Sequence, residues 1–143
     1  MLDRVRGFLR RPVGEQPGKT GNPSLSRKQV GTRGEKLALQ HLKKRGYRVL
    51  RTNFRCRQGE IDIIAEKAGM LIFVEVRTKT GSGFISPEES VTRGKVERLV
   101  SLAGIYLQTL DGPTPPWRID VVAVELGPGS KVLRLEHIEN ATG

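Results

Sequence analysis

The sequence predicts an α/β domain, a mixed sheet flanked by helices in the order αβββαββ. Three observations carry this. Two stretches have helical caps and a helical apolar stripe; five short stretches are aliphatic and strand-like; and turn residues punctuate them at intervals too short for long loops. The chain has 143 residues and 36% hydrophobic content, enough for one domain with a core.

Residues 1–30 read as a basic N-terminal arm. Arg4, Arg6, Arg10, Arg11, Lys19, Arg27 and Lys28 face only Asp3 and Glu15, and the stretch from Pro12 to Pro23 shows no periodicity. The folded domain is expected over 31–143. Thr32 and Glu35 have capping-box spacing, so the first helix is expected from Thr32 to about Arg45, stopped by Gly46. Ala38, Leu39 and Leu42 form its apolar stripe, and Glu35 lies one turn earlier on the same stripe. Strands follow at 47–54, 60–66 and 71–79. Thr92 caps a second helix through about Leu110, with Val96, Leu99, Val100, Ala103, Tyr106 and Leu107 on one face. Strands at 118–126 and 132–138 close the domain around Gly127-Pro128-Gly129.

Acids interrupt two of the aliphatic strands. A four-residue loop between the second and third strands sets Glu66 opposite Leu71. Continued antiparallel pairing makes Ile61/Val76, Ile63/Val74 and Ala65/Ile72 an apolar face. The other face carries Ile64/Phe73, Asp62/Glu75 and Glu60/Arg77. Like charges directly opposed are destabilising, and a divalent cation between Asp62 and Glu75 relieves that repulsion. The plainer alternatives are a protonated carboxyl or two solvated acids. Arg77 either holds phosphate charge or pairs with Glu60.

The formal net charge is +10 and the pI about 10.4, which favours a polyanionic partner, most simply nucleic acid. Arg55 and Arg57 flank the approach to the acidic hairpin. Arg93 and Lys95 open the second helix, where a bound phosphate would offset cations set against the helix dipole; tolerated surface charge is the alternative. Cys56 stands alone, excluding an intramolecular disulfide. No apolar run is long enough for a transmembrane helix, and the expectation is a cytoplasmic protein without a membrane partner. His41 and His137 lack zinc-ligand spacing and read as surface or structural. Asp120 reads as a hydrogen-bonded structural acid, and Trp117 as a core anchor.

Gly34-Glu35, Gly46-Tyr47, Asn53-Phe54-Arg55, Gly59-Glu60-Ile61-Asp62, Phe73-Val74-Glu75-Val76, Lys95, Asp120-Val121-Val122-Ala123-Val124 and His137-Ile138-Glu139-Asn140-Ala141 together resemble the YraN-type uncharacterised proteins. That family resembles the PD-(D/E)XK nucleases, most closely the archaeal Holliday-junction resolvases. The resemblance implies a restriction-endonuclease-like fold over Gly31 to about Ala141. It also implies a metal-dependent nuclease acting on nucleic acid, with structured or branched DNA the expected substrate. Asp62 and Glu75 match the metal-binding acids, and Glu35 matches a helical glutamate that some members add. Mg²⁺ or Mn²⁺ is the implied cofactor. The related resolvases act as dimers, which allows a homodimer here. Arg77 stands where the pattern calls for lysine, with Lys79 two residues on. Arginine cannot lose its proton as lysine can, so a non-catalytic nucleic-acid-binding protein on the same fold is the alternative. Ile85 replaces the usual glycine before Ser86-Pro87.

Overall fold

A computed structural model describes residues 25–81 and 91–142. The readings placed on 1–24 and on Ile85 lie outside the described residues. The elements are α1 (Arg27–Lys44), β1 (Arg48–Cys56), β2 (Gly59–Lys67), β3 (Met70–Thr80), α2 (Arg93–Leu107), β4 (Trp117–Leu126) and β5 (Val132–Ile138). The five strands form one sheet in the order β1-β2-β3-β4-β5. Among the described strands only β3 and β4 are parallel, joined by the crossover through α2. This is the restriction-endonuclease-like arrangement, a mixed sheet flanked by two helices.

Each face of the sheet has its own core. Ala38 and Leu42 of α1 pack on Ile63, Ala65, Ile72, Val74, Val122 and Val124. Leu99, Leu102 and Ala103 of α2 pack on the other face, against Phe54, Ile61, Ile64, Phe73 and Ile119. Trp117 is half-buried against that second core, its ring 5.8 Å from Phe73.

Helix α1 starts earlier than Thr32. Ser26 is the N-cap and Gln29 completes the capping box: Gln29 N–H donates to Ser26 Oγ at 3.1 Å, and Ser26 N–H to Gln29 Oε1 at 2.8 Å. Arg27–Val30, assigned from sequence to the arm, are therefore the first turn, and Val30 packs against the core. The same spacing of cap and partner occurs twice, and the glycines at 31 and 34 disguised the first turns as a helix start. Gly34 has a packing reason. A Cβ there would lie 1.8 Å from Thr78 Oγ1, so α1 crosses β3 at a distance only glycine permits. Glu35, its neighbour, is thereby held close to the sheet. At the other end, Tyr47 N–H reaches Leu42 O and Gly46 N–H reaches Lys43 O, with Gly46 at φ 88, a Schellman stop. Helix α2 begins as expected, Lys95 N–H donating to Thr92 Oγ1 at 3.3 Å, but ends at Leu107 rather than Leu110.

The β2–β3 turn is tighter than expected. Lys67 pairs with Met70, so only Ala68 and Gly69 lie in the turn. Both have positive φ, 52 and 80, matching the twist that favours such two-residue hairpins. The register is unaffected: Glu66 still faces Leu71, and Ile63 faces Val74.

Candidate metal centre

The β2–β3 ladder stops at Ile63/Val74, one step short of the two acids. Val76 N–H donates to the Asp62 carboxylate instead, at 2.7 Å. The strand alternation also breaks here. Ile63 faces the α1 core but Ile61 faces the α2 core, although residues two apart in a regular strand share a face. Directly alongside, Asn53 in β1 adopts φ 53 between Thr52, paired with Ile63, and Phe54, paired with Ile61. The expectation that Ile61, Ile63 and Ala65 share one face is thus corrected. The matched irregularity at Asn53 and Asp62 sends Ile61 to the other side and lets Glu60 and Asp62 approach α1.

Carboxylate oxygens of Glu35, Glu60 and Asp62 lie within 4.8 Å of one another. Asn53 Nδ2 ties two of them together, at 2.7 Å from Glu60 Oε2 and 3.2 Å from Glu35 Oε2. Burial pushes the Asp62 carboxyl up to about 7. The negative charges of Glu75, Glu35 and Glu60 add to the rise, while the Val76 hydrogen bond opposes it. A cation among these acids would oppose that rise. Three hard carboxylate donors suit Mg²⁺ or Mn²⁺ rather than a thiophilic metal.

Glu75 is buried, yet it is outside this three-carboxylate group. Phe73 faces the α2 core, so alternation along β3 carries Glu75 and Arg77 toward that side. Asp62 feels the Glu75 charge across the gap where the ladder ends. Arg77 Nη1 lies 3.5 Å from Glu75 Oε2. The sequence alternative of an Arg77–Glu60 pair is replaced by this contact, because Glu60 is taken by Asn53 and by Arg55 at 3.5 Å. Glu60 is the member of the acidic trio that sequence reasoning did not propose as a ligand. Its position two residues before Asp62 was the available signal, masked by the choice of Arg77 as its partner.

A cavity of about 640 Å³ opens beside the trio, lined by Glu35, Asp62, Arg27, Arg77 and Lys79 among others. Lys95 is half-buried, and its ammonium is held below its usual range by burial and by Arg77, with the Glu75 charge opposing. Arg93 pairs with Glu97 one helical turn on, at 3.3 Å. Arg55 and Arg57 are exposed at the β1–β2 turn.

A second buried acid on the α1 face has the opposite surroundings. Asp120 is fully buried. It accepts from Arg118 Nε at 2.9 Å, His137 Nε2 at 2.8 Å and the Asn140 N–H at 2.9 Å. Hydrogen bonds from His137 and Arg118 hold its carboxyl below the usual range against the cost of burial. Arg118 continues to the Tyr47 hydroxyl at 2.9 Å, and His137 Nδ1 meets His41 Nε2 at 3.0 Å. The structural reading of Asp120 and both histidines stands, though sequence spacing gave no sign that His41 and His137 meet.

The chain is similar in sequence to a family of uncharacterised proteins. A family model described as "Uncharacterised protein family UPF0102" matches residues 34–124. A UPF0102 protein of Symbiobacterium thermophilum is 46% identical over 114 residues, covering 80% of this chain and 96% of that protein. One from Roseiflexus castenholzii is 45% identical over 116 residues, covering 80% and 94%. One from Clavibacter michiganensis is 48% identical over 101 residues, covering 70% and 86%.

Proposed function

The chain belongs to the UPF0102 family, and from the site it carries we propose a metal-dependent nuclease-like protein that hydrolyses phosphodiesters in nucleic acid, with structured or branched DNA the favoured substrate. The observation that carries this reading is the cluster of Glu35, Glu60 and Asp62, three carboxylates whose oxygens lie within 4.8 Å of one another. Glu35, Glu60 and Asp62 would hold the ion. When bound, Mg²⁺ or Mn²⁺ supplies Lewis-acid polarisation of a phosphoryl oxygen and a more acidic water.

The chain's own residues have distinct tasks. Asp62 must be ionised to serve as a ligand, and burial beside other acids keeps it near neutrality in the free protein. Val76 N–H fixes its orientation. Asn53 holds Glu35 and Glu60 in position. Arg77 and Lys79, on the cavity wall, offer positive charge to a phosphate. The net charge of +10 favours the polyanion overall, through backbone contacts with steep salt dependence.

The test has two parts. Calorimetry with Mn²⁺ should give binding to the wild type and none to Asp62→Ala. Incubation with linear, flapped and four-way DNA should give cleavage by the wild type alone. Equal activity in both proteins, or cleavage of no substrate, rejects the nuclease reading. A second reading rests on Arg77: a guanidinium held against Glu75 cannot deprotonate to activate water. A non-catalytic nucleic-acid-binding protein would retain salt-sensitive DNA binding without cleavage, and Arg77→Lys would then be the variant expected to gain activity.

A further inference from the structure

We propose that β5 is the seam of a symmetric dimer, pairing antiparallel with β5 of a second copy to join two sheets into one. Among the described residues the sheet has two edge strands, and they differ in charge. β1 carries Arg48, Arg51 and Arg55 with no acid. Its pairing with β2 is also interrupted between Val49 and Arg51, and Asn53 has a left-handed backbone. Like charge and an irregular backbone guard such an edge against a second copy.

β5 lacks the charge guard, and its one irregularity, the register shift against Glu125 and Leu126 of β4, lies at its first end. Its sequence, Val132-Leu-Arg-Leu-Glu-His-Ile138, is neutral apart from one Arg and one Glu, and its backbone has no positive-φ residue. It also carries two of the large hydrophobic side chains that are exposed among the described residues, Val132 at 37% and Leu133 at 51%. Centring an antiparallel self-pair on Leu135 sets Arg134 opposite Glu136 of the second copy, and Glu136 opposite Arg134 of that copy. The two-fold axis therefore duplicates one favourable pair. Val132 and Leu133, at the irregular end of β5, then lie beside Ile138 and His137 of the second copy, covering the exposed apolar groups. Arg134 lies 3.7 Å from Glu136 and 3.8 Å from Glu125 within one chain, so these groups already share a face. A second copy is the occupant this charge pattern fits. The proposal is independent of the nuclease reading; if both hold, the dimer presents two acidic clusters related by a two-fold axis.

The charge pattern gives a test that a structural role for these residues cannot imitate. The wild type, a 15.9 kDa chain, should scatter light as a dimer. Arg134→Glu alone and Glu136→Arg alone each place like charges across the seam at both symmetric positions. Each should weaken self-association about tenfold or more. An equimolar mixture of the two restores opposite charges at both positions and should regain a dimer close to wild-type strength. Leu133→Lys, at an exposed site, should also dissociate the dimer if either charge variant fails to fold. A wild type that stays monomeric at every concentration overturns the proposal. So do single variants that associate like the wild type, or a mixture that associates no better than its components. A monomer whose β5 amides are protected from hydrogen exchange would show another segment of the chain covering the edge, and would overturn it equally.

Discussion

Asp62 and Asp120 are two aspartates on the α1 side of one sheet, with opposite electrostatics. Asp120 is fully buried and has an arginine, a histidine and a backbone N–H aimed at it. Asp62 is partly buried, receives one backbone N–H, and otherwise faces Glu75, Glu35 and Glu60. Burial raises the proton affinity of both; at Asp120 the partners reverse that effect, and at Asp62 the neighbours add to it. A fold gains nothing by leaving an acid among acids. The contrast assigns Asp120 to the scaffold and Asp62 to the site, and four measurements can break or sharpen it.

The largest effect is expected from Asp120→Ala. It strips Arg118 and His137 of their carboxylate and releases the Asn140 N–H. Breaking a buried charge-paired network by removing one partner costs about 3–5 kcal/mol, read as a lowered urea midpoint. The pH dependence has a definite sign. The folded-state carboxyl of Asp120 lies below its unfolded value of 3.8, so its stabilisation is present above that value and is lost as pH falls through the folded-state pKa. A variant as stable as the wild type at neutral pH would remove Asp120 from the scaffold.

Asp62→Asn should move stability the other way. Its folded-state carboxyl lies near 7, above the unfolded 3.8, so folding favours the protonated acid. The ionised form costs stability that is absent below 3.8, grows as pH rises, and is complete above about 7. Removing the charge should therefore stabilise the metal-free protein by roughly 2–4 kcal/mol at pH 8 and by little at pH 4. Denaturant unfolding of both proteins across this range checks it. A destabilised Asp62→Asn at pH 8 would make the two aspartates alike.

Adding Mn²⁺ should reproduce part of that gain in the wild type. Saturation at about 100 times the dissociation constant adds ~2.7 kcal/mol. The thermal midpoint should rise for the wild type and stay unchanged for Asp62→Asn, while Asp120→Ala should show the full increment from its lower starting point. An equal rise in all three would place the ion elsewhere.

The two regions were unequally legible in the sequence. Strand and helix positions followed from periodicity and caps, and the β2–β3 register followed from loop length even though the turn proved two residues shorter. Asp62 was found because an acid in an apolar strand is costly, and Glu35 because it matches the helical glutamate that the resemblance adds to the site. The exact cluster was not. A face switch at Asn53 and Asp62 is invisible to a period-two rule, and it is what brings Glu60 into the trio while leaving Glu75 outside. The Asp120 network joins α1, β4 and β5 across 96 residues at its His41–His137 contact. Local spacing carries no information about such a contact, whereas an acid amid aliphatic residues did mark Asp120 itself.

The smallest effect, and the most discriminating, is expected at Asn53. Its φ of 53 and its amide serve different ends: the first creates the irregularity, the second bridges Glu35 and Glu60. Asn53→Gly keeps the left-handed backbone accessible and removes only the donor. Without it the two carboxylates repel more strongly, which should cost the metal-free protein about 1 kcal/mol at pH 8. A bound divalent cation takes over the same charge compensation, so saturating Mn²⁺ should shrink the difference between Asn53→Gly and the wild type. If Asn53 were a scaffold donor in the manner of Arg118, the deficit would persist with the ion bound. The change in that deficit on adding Mn²⁺ therefore decides whether Asn53 belongs with Asp62 or with Asp120.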